Sequence, residues 1–273
     1  MVTSLKVREV QCKSLLNESM LRDYCINPYV GCGHACAYCY AAPITSRFSQ
    51  HSEPWGGFVD VKVNAPQVLA NETARKKGDV FVSSLCDAYQ PLEAKYRLTR
   101  ACLEILLAHQ FPVAIQTKSA LVTRDIDLLR QFKDAEVGFT FTSLDDEVRR
   151  AFEPGSSSVQ EKLDAIKALR AAGIRTYIFF GPVLPYLSFK NDGELEEYFE
   201  TFKRLGVSHV FVDRLNMKPG VWDAVEVVLK KSYPDLVENW KEALLGKSDY
   251  WERTKKQISA VCAKKDVKCI FCY

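Results

Sequence analysis

An α/β fold, a partial (β/α)6 barrel of TIM type with a C-terminal helical extension and a cysteine-containing tail, is what this sequence predicts. Six short β-branched or aromatic runs are each followed by a stretch with helical periodicity, and the segments between run and helix are rich in small polar residues. The length, 273 residues with 47% hydrophobic content, suits one large domain with a substantial core. Alternating strands and helices imply a parallel sheet with right-handed crossovers. Six units fall short of the eight that close a barrel, so the barrel is expected to be open.

The first unit pairs residues 24–30 with a short helix after Cys39. Residues 79–84 (DVFVSS) form the next strand. The helix after it spans residues 91–108, where Leu98, Cys102, Ile105 and Leu106 fall at helical spacing. Strands over 113–117, 137–142, 175–180 and 209–212 then alternate with helices over 125–132, 159–171, 194–205 and 221–231. The barrel is assigned to residues 1–234, and residues 235–273 to a charged helical extension ending in Cys262, Cys269 and Cys272. Working residues of such barrels lie at the carboxyl ends of the strands and in the loops that follow.

The formal charge of +3 neither demands nor excludes a nucleic-acid partner. No run approaches the roughly 18 apolar residues of a membrane span, and residues 1–11 lack the apolar stretch of a signal peptide. A soluble, cytoplasmic protein with no membrane partner is expected. In that setting the ten cysteines read as metal ligands and buried thiols rather than as disulfides, with oxygen sensitivity as the corollary.

The run Cys32-Gly33-His34-Ala35-Cys36-Ala37-Tyr38-Cys39 gathers three thiols at C-x3-C-x2-C spacing. Structural zinc draws a closed shell of four ligands, and His34 sits between the first two cysteines, where reaching the same ion would strain so short a loop. A cubane iron–sulfur cluster takes one cysteine per iron, so three leave the fourth iron open. Ligand count and spacing favour the cluster, with zinc as the competitor.

Residues 27–32 (NPYVGC) running into 36–41 (CAYCYA) resemble the cluster loop of radical S-adenosylmethionine enzymes, and within them the spore photoproduct lyase-like, or DNA repair photolyase-like, group. The resemblance implies a [4Fe-4S] cluster on Cys32, Cys36 and Cys39 whose open iron binds S-adenosylmethionine. It also implies reductive cleavage to a 5′-deoxyadenosyl radical that abstracts hydrogen from a substrate, and an external electron donor of flavodoxin or ferredoxin type. The substrate is unidentified; a nucleic-acid photoproduct is its sharpest version.

By the same resemblance Tyr38 and Tyr40 line the cofactor pocket, with Tyr40 relaying hydrogen, Lys118 meets the cofactor carboxylate, and Ser143 bonds the cofactor. The sequence alone allows blander roles: aromatic packing for the tyrosines, a surface lysine, a turn-forming serine. At Ser84-Leu85-Cys86-Asp87 the chain departs from the lyase, which carries a hydrogen-donating cysteine where this chain has Ser84. Ser84 is therefore placed with the cofactor-binding residues. Cys86, matching a cofactor-binding serine, is the candidate donor, since positions 84 and 86 share a strand face; a buried thiol packing as a small hydrophobe is its blander role.

Cys262, Cys269 and Cys272 are expected to be metal ligands of a second iron–sulfur cluster, with zinc or an unliganded C-x2-C as the other readings. Lys255, Lys256, Lys264, Lys265 and Lys268, near Tyr250 and Trp251, form either a polynucleotide-steering patch or a solvated helix face. A non-catalytic iron–sulfur or zinc module for binding or electron transfer is the alternative to an enzyme.

Overall fold

The computed structural model describes residues 5–47, 49–246 and 248–273. In chain order the elements are β1 (Lys6–Val10), β2 (Asn17–Glu18), β3 (Tyr24–Ile26), β4 (Tyr29–Val30), α1 (Ala41–Thr45), β5 (Phe58–Lys62), α2 (Ala65–Thr73), β6 (Val80–Val82), α3 (Glu93–Tyr96), α4 (Leu98–Ala108) and β7 (Val113–Thr117). After a 3-10 turn follow α5 (Ile126–Leu129), β8 (Ala135–Phe141), α6 (Asp146–Phe152), α7 (Val159–Ala171), β9 (Arg175–Val183), α8 (Asp192–Arg204), β10 (Val210–Arg214), α9 (Val221–Ser232), α10 (Val237–Leu245), α11 (Tyr250–Lys265) and β11 (Cys269–Phe271).

The main sheet has eight strands in the order β2-β3-β6-β7-β8-β9-β10-β11, all parallel except the β2–β3 pair. This is the open, partial barrel, with the six expected strands as neighbours in sequence order. Period-two alternation sends Val80, Val82, Val137, Phe139, Phe141, Ile178, Phe180, Val210 and Val212 into the apolar layer under the helices. On the opposite face Tyr177 covers Gly138, where a Cβ would come within 2.1 Å of the ring.

Three features differ from the sequence expectation. Residues 24–30 do not form one strand: β4 leaves the barrel and joins β1 and β5 in a separate three-stranded sheet, β1-β5-β4. The 125–132 helix is a single turn led by 3-10 geometry. The tail returns as β11, pairing Val210 with Cys269 and Val212 with Phe271, so the segment after residue 235 contributes a strand to the main sheet.

Two apolar clusters divide the helices. α4, α7, α8 and α11 cover the main sheet, whereas α9 and α10 form a second cluster in which Val221, Val225, Leu229 and Trp240 meet Cys36, Tyr38 and Phe152. Phe152 stacks on Trp240 with centroids 5.8 Å apart. The cysteine loop thus rests on a layer to which α6, α9 and α10 all contribute. Replacing the fully buried Trp240 with alanine is expected to cost about 3–5 kcal/mol in urea unfolding. A loss under about 1 kcal/mol would show that this second cluster carries little of the stability.

Candidate metal and cofactor centre

The cysteine loop begins where β4 ends. Gly31 has φ +86°, and a Cβ there would lie 2.5 Å from the Phe58 carbonyl oxygen, so only glycine fits. On the other side Gly56 abuts the loop, a Cβ at 56 coming within 2.3 Å of the Ala35 Cβ. Cys32 and Cys36 are buried, Cys39 is half-buried, and all three are free thiols. Burial pushes each thiol pKa above its ordinary value. No group of three or more Cys, His, Asp or Glu side chains closes on a single ion among the described residues. His34 does not join the cysteines: its buried ring turns to Asp87, with Nδ1 3.3 Å from Oδ2.

Asp87, at the carboxyl end of β6, organises the floor of the site. Its carboxylate accepts from Thr117 Oγ1 at 2.7 Å, from the Lys118 amide at 2.8 Å and from the Tyr89 amide at 2.9 Å. Burial alone would raise its pKa; His34, Lys118 and Thr117 together hold it well below the carboxylate range. The carboxylate fixes the end of β7, and with it Lys118. The ammonium of Lys118 lies 5.8 Å from the Tyr38 ring centroid and has no hydrogen-bond or ion-pair partner among the described residues. Burial opposes its charge, but Cys36, Glu153, Asp87 and Cys39 outweigh that and raise its pKa. A lysine held charged beside thiols and lacking a partner is suited to an incoming anion.

Tyr38 is buried and its hydroxyl donates to Glu153 Oε1, so it is held inside the protein beneath the loop. Tyr40 is 42% exposed and donates to the Ser84 carbonyl. Burial of its phenol raises the pKa to about 12. Ser84 and Cys86 come together, but not by strand alternation. β6 ends at Val82 and Ser83 takes φ +70°, so the next residues form a turn. Their side chains meet at Asn27, with Nδ2 3.1 Å from Ser84 Oγ and Oδ1 3.8 Å from Cys86 Sγ. Asn27 Nδ2 also lies 3.7 Å from Cys25 Sγ. Burial raises the Cys86 thiol to about 11, keeping the hydrogen on sulfur. Ser143 is buried, and its Oγ accepts from the Asp145 amide at 3.0 Å, the bond of a turn-forming serine.

The tail differs from expectation. Cys262 and Cys269 form a disulfide, which leaves neither sulfur as a thiolate for a metal, and Cys272 stands apart and exposed. The expectation of an auxiliary metal site on the three is corrected accordingly, as is the expectation of thiols throughout. Lys264 and Lys265 are paired with Glu196, and Lys265 also with Glu200; Lys255 donates to the Tyr273 carbonyl. These pairs favour the solvated-face reading of the basic tail. Asp213, Arg214, Asn216, Trp251, Cys272 and Tyr273 line a cavity of about 470 Å³ at the end of β10.

Sequence reading missed Glu153 and Lys162, both fully buried. The signal for Lys162 was present: it shares an apolar stripe on α7 with Val159, Ala165, Ile166 and Leu169.

An open parallel barrel with three free thiols in one loop is the class of fold and site seen here, and comparison with known proteins gives its family. The family model "Radical SAM superfamily" matches residues 26–202, and the chain belongs to that superfamily. An uncharacterized protein of Methanocaldococcus jannaschii is 35% identical over 189 residues, 68% of this chain and 71% of that one. A protein of Pseudomonas phage M6 named radical SAM Nalpha-GlyT isomerase is 27% identical over 208 residues, covering 75% of this chain and 41% of its own. Spore photoproduct lyase complexed with dinucleoside spore photoproduct shares the fold with TM-score 0.67 at 18% identity, over 98% of this chain and 82% of that one. A variant of that lyase with bound AdoMet gives TM-score 0.66. The protein is a radical SAM enzyme.

The depressed Asp87 carboxyl predicts a pH signature. A carboxyl whose pKa is lower folded than unfolded adds stability above its unfolded value, about 3.9, and loses it as pH falls through the folded value. Asp87→Asn is expected to lower the urea midpoint at pH 7, with the gap to wild type closing below about pH 4. A gap that stays constant down to about pH 2 would show that the charge of Asp87 does not stabilise the fold.

Proposed function

We propose that Cys32, Cys36 and Cys39 hold a [4Fe-4S] cluster with one iron left for S-adenosylmethionine, and that the enzyme uses the resulting radical to abstract hydrogen from an organic substrate. The observation that carries this reading is the unpartnered ammonium of Lys118 beside Cys36 and Cys39, for which a cofactor carboxylate is the fitting anion. When bound, cluster and cofactor supply one electron and, from the cleaved sulfonium, a 5′-deoxyadenosyl radical.

The chain's own groups have separable tasks. Three thiolates ligate; Lys118 orients a carboxylate and offsets negative charge; Tyr38 and the apolar layer under it exclude water. Tyr40, exposed with its hydroxyl on the Ser84 carbonyl, and Cys86, against Asn27, are the hydrogen-bearing groups assigned to the substrate radical. Ser143 serves the site through the turn it closes. An external flavodoxin- or ferredoxin-type protein would deliver the electron.

Support for a nucleic-acid substrate comes from the spore photoproduct lyase structures, three of which hold a dinucleoside spore photoproduct. Ser84 in place of that lyase's donating cysteine argues for a different reaction on a related substrate, because an O–H bond gives up hydrogen far less readily than an S–H bond.

Anaerobically reconstituted protein with dithionite and S-adenosylmethionine is expected to release 5′-deoxyadenosine, and none should form in a Cys32→Ala/Cys36→Ala/Cys39→Ala variant. Absence of product from the wild type with excess reductant would end this reading. Lys118→Met should keep its iron but raise the KM for S-adenosylmethionine roughly ten- to a hundredfold, matching the 1.5–3 kcal/mol of a hydrogen bond to a charged group. An unchanged KM would remove Lys118 from the cofactor site.

A further inference from the structure

One buried charge pair reaches the ligand loop without belonging to it. Lys162 Nζ lies 3.8 Å from Glu153 Oε2, donates to the Thr140 carbonyl at 2.9 Å and stands 4.4 Å from the Phe141 ring centroid. Glu153 accepts from the Tyr38 hydroxyl and, at 3.2 Å, from Ser156 Oγ. Residues flanking Glu153 grip the loop through its backbone. The Ala37 amide donates to the Phe152 carbonyl at 2.9 Å and the Gly155 amide to the His34 carbonyl at 3.1 Å. At Gly155 a Cβ would lie 2.3 Å from the Gly33 carbonyl oxygen, so the approach depends on glycine. Two ions taken out of water carry a desolvation penalty that a pair of apolar side chains would not, so packing alone does not account for this pair.

We propose that the Glu153–Lys162 pair positions Tyr38 beneath the three-cysteine loop and that its two opposite charges, by cancelling, keep the reduction potential of the cluster bound there from being displaced either way. The inference rests on the reading that Cys32, Cys36 and Cys39 hold that cluster. Reduction adds one negative charge; in a water-poor interior a nearby carboxylate opposes it and a nearby ammonium favours it. As a neutral unit the pair has little net effect, but removing either member leaves the other's charge acting alone. Glu153 is the closer member, since its carboxylate contacts Tyr38 and Lys162 lies behind it.

The experiment is an anaerobic redox titration of reconstituted protein, followed through the electron paramagnetic resonance signal of the reduced cluster, with iron and sulfide per chain measured alongside. Glu153→Gln keeps an oxygen for the Tyr38 hydroxyl and removes the anion; its potential is expected to rise. Lys162→Met keeps the apolar stem and removes the cation; its potential is expected to fall. The Glu153→Gln/Lys162→Met double variant should return toward the wild-type value. Where Lys162→Met folds poorly, Lys162→Gln, which retains a donor for the Thr140 carbonyl, tests the same direction. Loosening of structure would move both single variants the same way, and that result, or two unmoved potentials, overturns the inference. The triple-cysteine variant separates the two ideas: if it keeps its iron, the cluster assignment fails. If it loses its iron while the potentials stay fixed, only the role of the charge pair fails.

Discussion

Carboxylates buried beneath the cysteine loop need donors, and that requirement ties together the elements around it. Asp87 cannot stay ionised inside the protein without donors, and it takes them from the end of β7, through Thr117 Oγ1 and the Lys118 amide. Glu153 takes its own from Tyr38 and Ser156, with Lys162 beside it. Two anions and two cations from four stretches of chain therefore converge under a loop with little regular structure of its own. Moving Thr117, Tyr38 or Ser156 takes a donor from one of the two buried carboxylates.

The same arrangement accounts for how reactive thiols are kept in place. The loop is approached closely at two points where no side chain fits, by Gly56 against Ala35 and by Gly155 against Gly33 and His34. It is bonded through its backbone to Phe152 and Gly155 and packed on Trp240 by way of Phe152. Rigidity here is chemical as much as mechanical. Burial raises the thiol pKa values until a cation or a metal offsets the charge, and Lys118 is the cation supplied.

The parts of this fold that were legible in the sequence are those whose signal is local. β7 over Val113–Thr117 and α7 over Val159–Ala171 fall at the expected residues, the first a short apolar run and the second opened by a Ser158–Glu161 capping box. The three-stranded sheet was not legible. β1 is largely exposed, and its partner β5 lies about 50 residues away, joined by the ion pair of Arg8 with Asp60, which no periodicity announces. The C-x3-C-x2-C loop and Lys118 were readable from residue type and place. Glu153 was not, because its role comes from contacts 115 residues apart in the chain. The tail cysteines misled for a related reason: spacing describes which thiols are close in sequence, whereas the return of β11 alongside β10 decides that Cys269 meets Cys262 and that Cys272 points elsewhere.

Asn27 shows how the two halves of the site are joined. It precedes the cysteine loop, yet its amide contacts Ser84 and Cys86 from the β6 turn and Cys25 from β3, while Tyr40, just past the last cysteine, bonds the Ser84 carbonyl. The cysteine loop and the turn bearing Cys86 are thus linked by two side chains, Asn27 and Tyr40. Serine at 84 removes the most direct hydrogen donor from that turn, but the contacts leave two thiols around the same amide. Asn27, Tyr40, Ser84 and Cys86 form one contact group beside the cysteine loop. A change at Asn27 would release Ser84, Cys86 and Cys25 together, whereas a change in the charges beneath the loop acts on Tyr38 and on the end of β7.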